Sequence, residues 1–91
     1  MHRSGLTELE VVLAVARQQS FRAAARELGL SATAVSNAVA GLEARLNVRL
    51  FNRTTRSVAL TEQGRRYIAR ITPALAEIQR AAEEITAEPG V

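Results

Sequence analysis

The chain has 91 residues, of which 47% are apolar and 23% charged, and this composition is typical of one small globular domain. No apolar run reaches the roughly 20 residues of a membrane span. The N-terminus MHRSGLTELE lacks the apolar block of a signal peptide, so we expect a cytoplasmic protein with no membrane partner. Cysteine is absent and the one histidine is His2, so we predict no metal, no cofactor and no enzymatic activity.

The charges are unevenly distributed along the chain. All twelve basic residues are arginine, and residues 45–70 contain seven of them against one glutamate. Residues 71–91 contain one arginine and four glutamates. A basic block is a candidate for binding a polyanion, because planar guanidinium groups suit phosphate. A solvated basic face would have the same composition, so charge alone leaves both interpretations open.

The first two predicted elements are helices. Thr7 and Glu10 have the spacing of a capping box, so helix 1 is expected to begin at Thr7 and to serve mainly as scaffold. Ser20 is a candidate N-cap for a short second helix over residues 21–28. Gly29 is expected to end that helix.

A third helix is predicted from Ser31 to about Leu46, and Asn47 is expected to end it in the left-handed conformation. Its apolar stripe comprises Val35, Val39, Leu42 and Leu46. The opposite face comprises Thr33, Asn37, Ala40 and Ala44, with Ser36 and Gly41 on its flanks. Such a small, neutral face suits a helix that enters a groove. An alanine-rich helix packed on both sides within a bundle is the alternative.

The segments VRLFNR and RSVALT predict a small β-hairpin whose tip carries Arg53 and Arg56. Thr61 is then the expected N-cap of the last helix, with Glu62 favourably placed in its first turn. Pro73 is expected to kink this helix, or to restart it with Thr72 as a new cap. The terminal AEPGV predicts the beginning of a linker.

The last helix carries an apolar seam at intervals of three and four residues. The seam comprises Ile68, Ile71, Leu75, Ile78, Ala82 and Ile85. Because it is longer than any surface that so small a domain can offer, we predict that it pairs with a second copy of the chain. Packing against helix 1 of the same chain is the alternative.

The predicted order of helix, helix, glycine turn, helix, hairpin and helix is that of a winged helix-turn-helix. We therefore expect a mainly α fold, with a small two-stranded wing and a long C-terminal linker helix. The predicted division is a DNA-binding unit over residues 1–60 and a dimerisation helix with the start of a hinge over residues 61–91.

Residues 20–65, SFRAAARELGLSATAVSNAVAGLEARLNVRLFNRTTRSVALTEQGR, closely resemble the N-terminal DNA-binding domain of the LysR-type transcriptional regulators. A looser similarity extends from Leu6 to Ile85. The resemblance implies that the third helix is the recognition helix, that FNRTTRSVALT is the wing, and that the last helix pairs two subunits. It further implies a bacterial regulator of transcription on the nucleoid, with a C-terminal effector-binding domain and a tetrameric assembly in a full-length protein.

The fold implies contacts to double-stranded DNA from the recognition helix and the wing. The implied DNA-binding residues are Ser31, Ala32, Thr33, Ser36, Asn37, Arg53 and Arg56. The family often has glycine at the position of Asn47 and arginine at that of Asn37, and the second difference changes which bases are recognised. A small helical protein-interaction module with an incidental basic patch is the alternative function.

Overall fold

The structure is a computed structural model that describes residues 5–54 and 57–87. Its elements in chain order are α1 (Gly5–Gln18), α2 (Phe21–Leu28), α3 (Ala32–Leu46), β1 (Phe51–Arg53), β2 (Val58–Leu60) and α4 (Glu62–Ala87). This order confirms the predicted winged helix-turn-helix fold class. Within the described ranges, no helix combines the length and the hydropathy needed to cross a lipid bilayer.

The ends of α2 and the C-terminal end of α3 lie where the sequence predicts them, while α3 begins at Ala32, one residue after the predicted start, with Ser31 as its N-cap. The Ser20 hydroxyl accepts a hydrogen bond from Ala23 N at 3.0 Å, and the Ser31 hydroxyl accepts one from Ala34 N at 3.0 Å. These bonds satisfy amide groups that the first turn of a helix leaves without a partner. Gly29 ends α2 at φ 70°, and Asn47 ends α3 at φ 57°, both in the left-handed region.

The predicted start of α1 at Thr7 is wrong, because the helix begins at Gly5. Thr7 is therefore the third residue of the helix and not its N-cap. The spacing of Thr7 and Glu10 does not stop a helix from extending upstream, since threonine costs little inside a helix. The helix ends before Gln19, which adopts φ 53°.

The hydrophobic core lies between the first three helices and residues 49–51, which form the root of the wing. Its buried residues are Val11, Val12, Ala14, Val15, Ala24, Ala25, Val35, Val39, Leu42, Leu50 and Phe51. The stripe predicted on α3 is thus confirmed for its first three members. Leu46 is the exception, because it lies in the last turn of α3 and is 37% exposed.

Thr61 makes three hydrogen bonds, two of which join the start of α4 to the root of the wing. Its hydroxyl accepts from Gly64 N at 2.9 Å and donates to Arg49 O at 2.7 Å, while its amide donates to Leu50 O at 2.9 Å. Gly64 is buried, and a Cβ atom at this position would overlap the carbonyl group of Leu50. The predicted cap at Thr61 is confirmed, and only glycine permits this approach of helix and loop.

Helix α4 continues without interruption through Pro73. The predicted restart with Thr72 as a cap is therefore wrong, and the Thr72 hydroxyl instead donates to Ile68 O at 2.7 Å. Proline removes the amide that would bond to Ala69 O, but both residues are exposed, so water can reach that carbonyl. Of the predicted AEPGV linker, Ala87 is the last residue of α4 and the rest lies outside the described residues.

Candidate nucleic-acid interface

Five of the predicted DNA-binding residues lie together at the N-terminal half of α3. They are Ser31, Ala32, Thr33, Ser36 and Asn37, of which Ser36 is half-buried and the other four are exposed. The first turn of α3 contains no acidic residue, so the positive end of the helix dipole is not neutralised there. This end of α3 can therefore approach an anionic backbone.

The rest of the exposed face of α3 carries small side chains. Ala40 and Ala44 are exposed, as predicted from the helical periodicity, and they extend the face that begins at Thr33 and Asn37. Methyl side chains do not hold a helix away from a surface that it enters. A groove about 12 Å wide, such as the major groove of B-DNA, admits a helix of this kind.

The wing is an antiparallel pair in which Phe51 pairs with Leu60 and Arg53 pairs with Val58. Arg53 is therefore the last residue of β1 and borders the turn, where the predicted strand VRLFNR also ends. Each strand pairs over three residues, fewer than in the predicted segments VRLFNR and RSVALT, and beyond the last pair Thr54 N donates to Ser57 O at 2.9 Å. Arg56 lies outside the described residues.

Arg53 lies at the junction of the wing with α2 and α3. Its guanidinium carbon is 4.6 Å from the centroid of the Phe21 ring, a cation–π distance. The Phe21 ring meets Phe51 edge to face, with 6.3 Å between the centroids. Arg53 Nη2 is 3.7 Å from Glu43 Oε1, and its side chain remains 38% exposed.

Glu43 is the residue of this site that the sequence analysis missed. Its side chain is 11% exposed, and its Oε2 atom accepts hydrogen bonds from Leu50 N at 2.8 Å and from Phe51 N at 3.3 Å. Glu43 thus connects the recognition helix to the root of the wing. Its position four residues after the buried Val39 was a usable signal, because it places the carboxylate beside the apolar stripe.

Other arginines of the basic block form ion pairs within the chain. Arg65 Nη2 and Arg66 Nε lie 3.5 Å and 3.9 Å from the Glu62 carboxylate, at exposed positions. Arg45 pairs with Glu8 of α1, and a hydrogen bond to that carboxylate raises the pKa of Arg45. Among the residues that the structure describes, no group of three histidine, aspartate, cysteine or glutamate side chains could hold a metal ion.

The structure divides the apolar seam of α4 into two parts. Ile68 and Ile71 are half-buried, and Leu75 is 5% exposed in the single chain, where it lines a pocket together with Leu13 of α1. Packing on helix 1, the alternative considered from the sequence, therefore describes Leu75. Further along, Ile78 is 49% exposed, Ile85 is 68% exposed and Ala82 is exposed.

A family model described as bacterial regulatory helix-turn-helix protein, lysR family, matches residues 6–65. Among curated proteins, the chain is 52% identical over 83 residues to YcaN of Escherichia coli, an uncharacterized HTH-type transcriptional regulator. That match covers 91% of this chain and 28% of YcaN. The chain thus spans under a third of the length of the curated relatives it matches.

Solved structures that are similar over nearly the whole chain include a full-length protein and a separate DNA-binding domain. A variant of full-length OxyR from Pseudomonas aeruginosa superposes with a TM-score of 0.87 at 31% identity, covering 98% of this chain and 30% of OxyR. The DNA-binding domain of BenM bound to benA site 1 DNA superposes with a TM-score of 0.84 at 26% identity, covering 90% of this chain and 92% of that domain. The match of the family model over most of the chain means that this protein belongs to the lysR family of bacterial regulatory helix-turn-helix proteins.

Proposed function

We propose that this chain is the DNA-binding segment of a bacterial transcriptional regulator. The N-terminal half of α3 enters the major groove of double-stranded DNA, and the wing lies on the flanking backbone or minor groove. The observation that carries this proposal is the exposed, small and acid-free N-terminal face of α3. The solved complex of the similar BenM domain with DNA supports it.

The proposed contacts divide into two classes. Thr33, Ser36 and Asn37 contact base edges, and Ala32 offers its methyl group to thymine. The wing arginines, Arg53 and Arg56, contact phosphates, together with the hydroxyls and amides at the start of α3. Phosphate contacts supply affinity on any sequence, whereas base contacts select the site.

The proposed active form is a homodimer held by the distal part of α4, where Ile78, Ala82 and Ile85 are exposed. Residues 1–60 form the DNA-binding unit and residues 61–91 the dimerisation helix with the start of a hinge. In a full-length protein, a C-terminal effector-binding domain and a tetramer follow from the family. A regulator of bacterial DNA acts in the cytoplasm on the nucleoid, and this segment needs no cofactor and catalyses no reaction.

Selection of binding sites from random duplex DNA, followed by footprinting, tests this function. We expect an enriched sequence and an affinity that falls linearly with salt on a log–log plot. Arg56→Ala should reduce the slope of that plot by roughly one unit if Arg56 meets one phosphate. A chain that enriches no sequence and binds DNA without salt dependence would support the alternative, a protein-interaction module.

A further inference from the structure

We propose that Glu43 is a positioning residue for Arg53, and that its carboxylate competes with the DNA phosphate for the Arg53 guanidinium. This inference rests on the proposed function, since it concerns how the wing meets the backbone. In the free protein Arg53 is held between Glu43 and the ring of Phe21. On DNA it is shared with, or transferred to, a phosphate.

The Glu43 carboxylate is fixed in place. Its Oε2 atom accepts hydrogen bonds from Leu50 N at 2.8 Å and Phe51 N at 3.3 Å, and only 11% of the side chain is exposed. Moving the carboxylate out into solvent would leave both amides without this acceptor, which is costly at a partly buried position. The negative charge therefore stays at the root of the wing whether or not DNA is bound.

The Arg53 guanidinium is held more loosely than the carboxylate. The 3.7 Å between its Nη2 atom and Glu43 Oε1 is longer than a hydrogen bond, and 38% of the side chain is exposed. A guanidinium has five N–H donors, and the contacts of Arg53 with Glu43 and with the face of Phe21 do not occupy all of them. This arrangement keeps the cation near one place while allowing it to exchange one anion for another.

Arg49 is the second cation beside Glu43. Its Nε atom is 4.0 Å from Glu43 Oε2, and its side chain is 69% exposed. When Arg53 moves to a phosphate, Arg49 is the remaining cation beside the carboxylate among the described residues, and a cation from solution is drawn in. Uptake of a cation at Glu43 partly cancels the release of a cation from the DNA phosphate. Arg53 therefore contributes less than one full phosphate contact to the slope of log affinity against log salt.

Glu43→Gln removes the charge and keeps a carbonyl oxygen that accepts from the two amides. Binding to a random-sequence duplex is measured by fluorescence anisotropy between roughly 50 and 200 mM salt. We expect about two- to fivefold tighter binding, the size of one partly exposed ion pair. The slope of log affinity against log salt should become steeper by up to roughly 0.9 units.

Two controls separate this effect from a general loss of negative charge. Glu27→Gln removes the same charge from another arginine pair, Arg17 with Glu27 at 2.8 Å, and should leave the slope unchanged. Adding Arg53→Ala to Glu43→Gln should abolish the gain in affinity. A gain that persists in the double variant would overturn the proposal, because Glu43 would then not act through Arg53.

Weaker or unchanged DNA binding by a folded Glu43→Gln variant would mean that Glu43 is only a structural anchor of the wing. If that variant does not fold, Arg53→Ala in the native chain decides the matter: a decrease in slope clearly smaller than one unit supports competition, and a full unit overturns it. A native chain without salt-dependent DNA affinity would refute the proposed function itself. Failure of the variants alone would refute only this inference.

Discussion

Asn37 is the amide-bearing side chain of α3, and it lies exposed on the face opposite the buried stripe. Its donor and acceptor match N6 and N7 of adenine in the major groove. We expect Asn37→Ala to cost roughly 1–3 kcal/mol on the selected site and much less on random DNA. Gln18→Ala, which removes an exposed amide from α1, is the matched control. Equal losses on both DNAs would place Asn37 on a phosphate.

Gly29 and Asn47 provide a paired test of backbone strain at helix ends. Both have positive φ, and a Cβ added to Gly29 would meet nothing within 4 Å. Gly29→Ala should therefore destabilise the fold by about 1–2 kcal/mol through backbone strain alone. Asn47→Gly should be neutral or stabilising, because glycine adopts this conformation without a Cβ penalty. Urea unfolding measures both, and an unaffected Gly29→Ala variant would contradict the argument.

At the scale of single residues, the sequence predicted the side-chain contacts between residues that are close together in the chain. The predicted caps at Ser20 and Thr61 each bond to an amide three residues ahead, so local spacing was sufficient. Glu43 bonds to amides seven and eight residues away, after a loop whose path the spacing does not determine. The contact of Arg53 with Phe21 depends on the packing of two distant elements, and no local pattern indicates it.

Helix α4 gives the sharpest prediction at the scale of elements. Aspartate at both Ile78 and Ile85 should produce monomers in analytical ultracentrifugation, because both side chains are exposed in the single chain and the proposed dimer buries them. The matched control is aspartate at both Ala69 and Ala87, which are exposed on the opposite side of the helix. A dimer that survives the first pair of changes would exclude the distal seam as the interface.

Leu75 belongs to the same seam but should respond differently. Its burial against the domain means that Leu75→Ala should destabilise folding by about 2 kcal/mol or more, without itself producing a folded monomer. Thermal unfolding and sedimentation of the same sample distinguish the two effects. A stable monomeric Leu75→Ala variant would show that Leu75 belongs to the dimer interface after all.

The helices and strands were predicted better than the surfaces against which they pack. Periodicity identified the buried stripe of α3 and the seam of α4, since both follow from the helical repeat. The repeat does not say which surface covers an apolar position, so it did not separate Leu75 from Ile78. The start of α1 and the passage of α4 through Pro73 were missed because local signals compete with tertiary packing and solvent access.

The proposed dimer predicts the symmetry of the DNA site. Two chains related by a twofold axis present two copies of α3, so the selected DNA should be a near-palindrome with half-sites related by helical turns of roughly 10 bp. Inserting about 5 bp between the half-sites should weaken binding of the native chain, since it rotates one half-site to the other side of the duplex. The monomeric variant should be insensitive to the same insertion, and equal sensitivity would contradict the dimer.

The close approach of Gly64 to the Leu50 carbonyl fixes the angle at which α4 leaves the wing, so a small change at this contact would move the far end of the helix by a larger distance. A helix of 26 residues is about 39 Å long, so a tilt of about 5° at its base moves its far end by about 3 Å. In a dimer joined at that far end, a side chain at Gly64 would force such a tilt and change the distance between the two copies of α3. In the proposed dimer, the absence of a side chain at Gly64 therefore fixes the separation of the two copies of α3, and with it the spacing of half-sites that both copies can reach together.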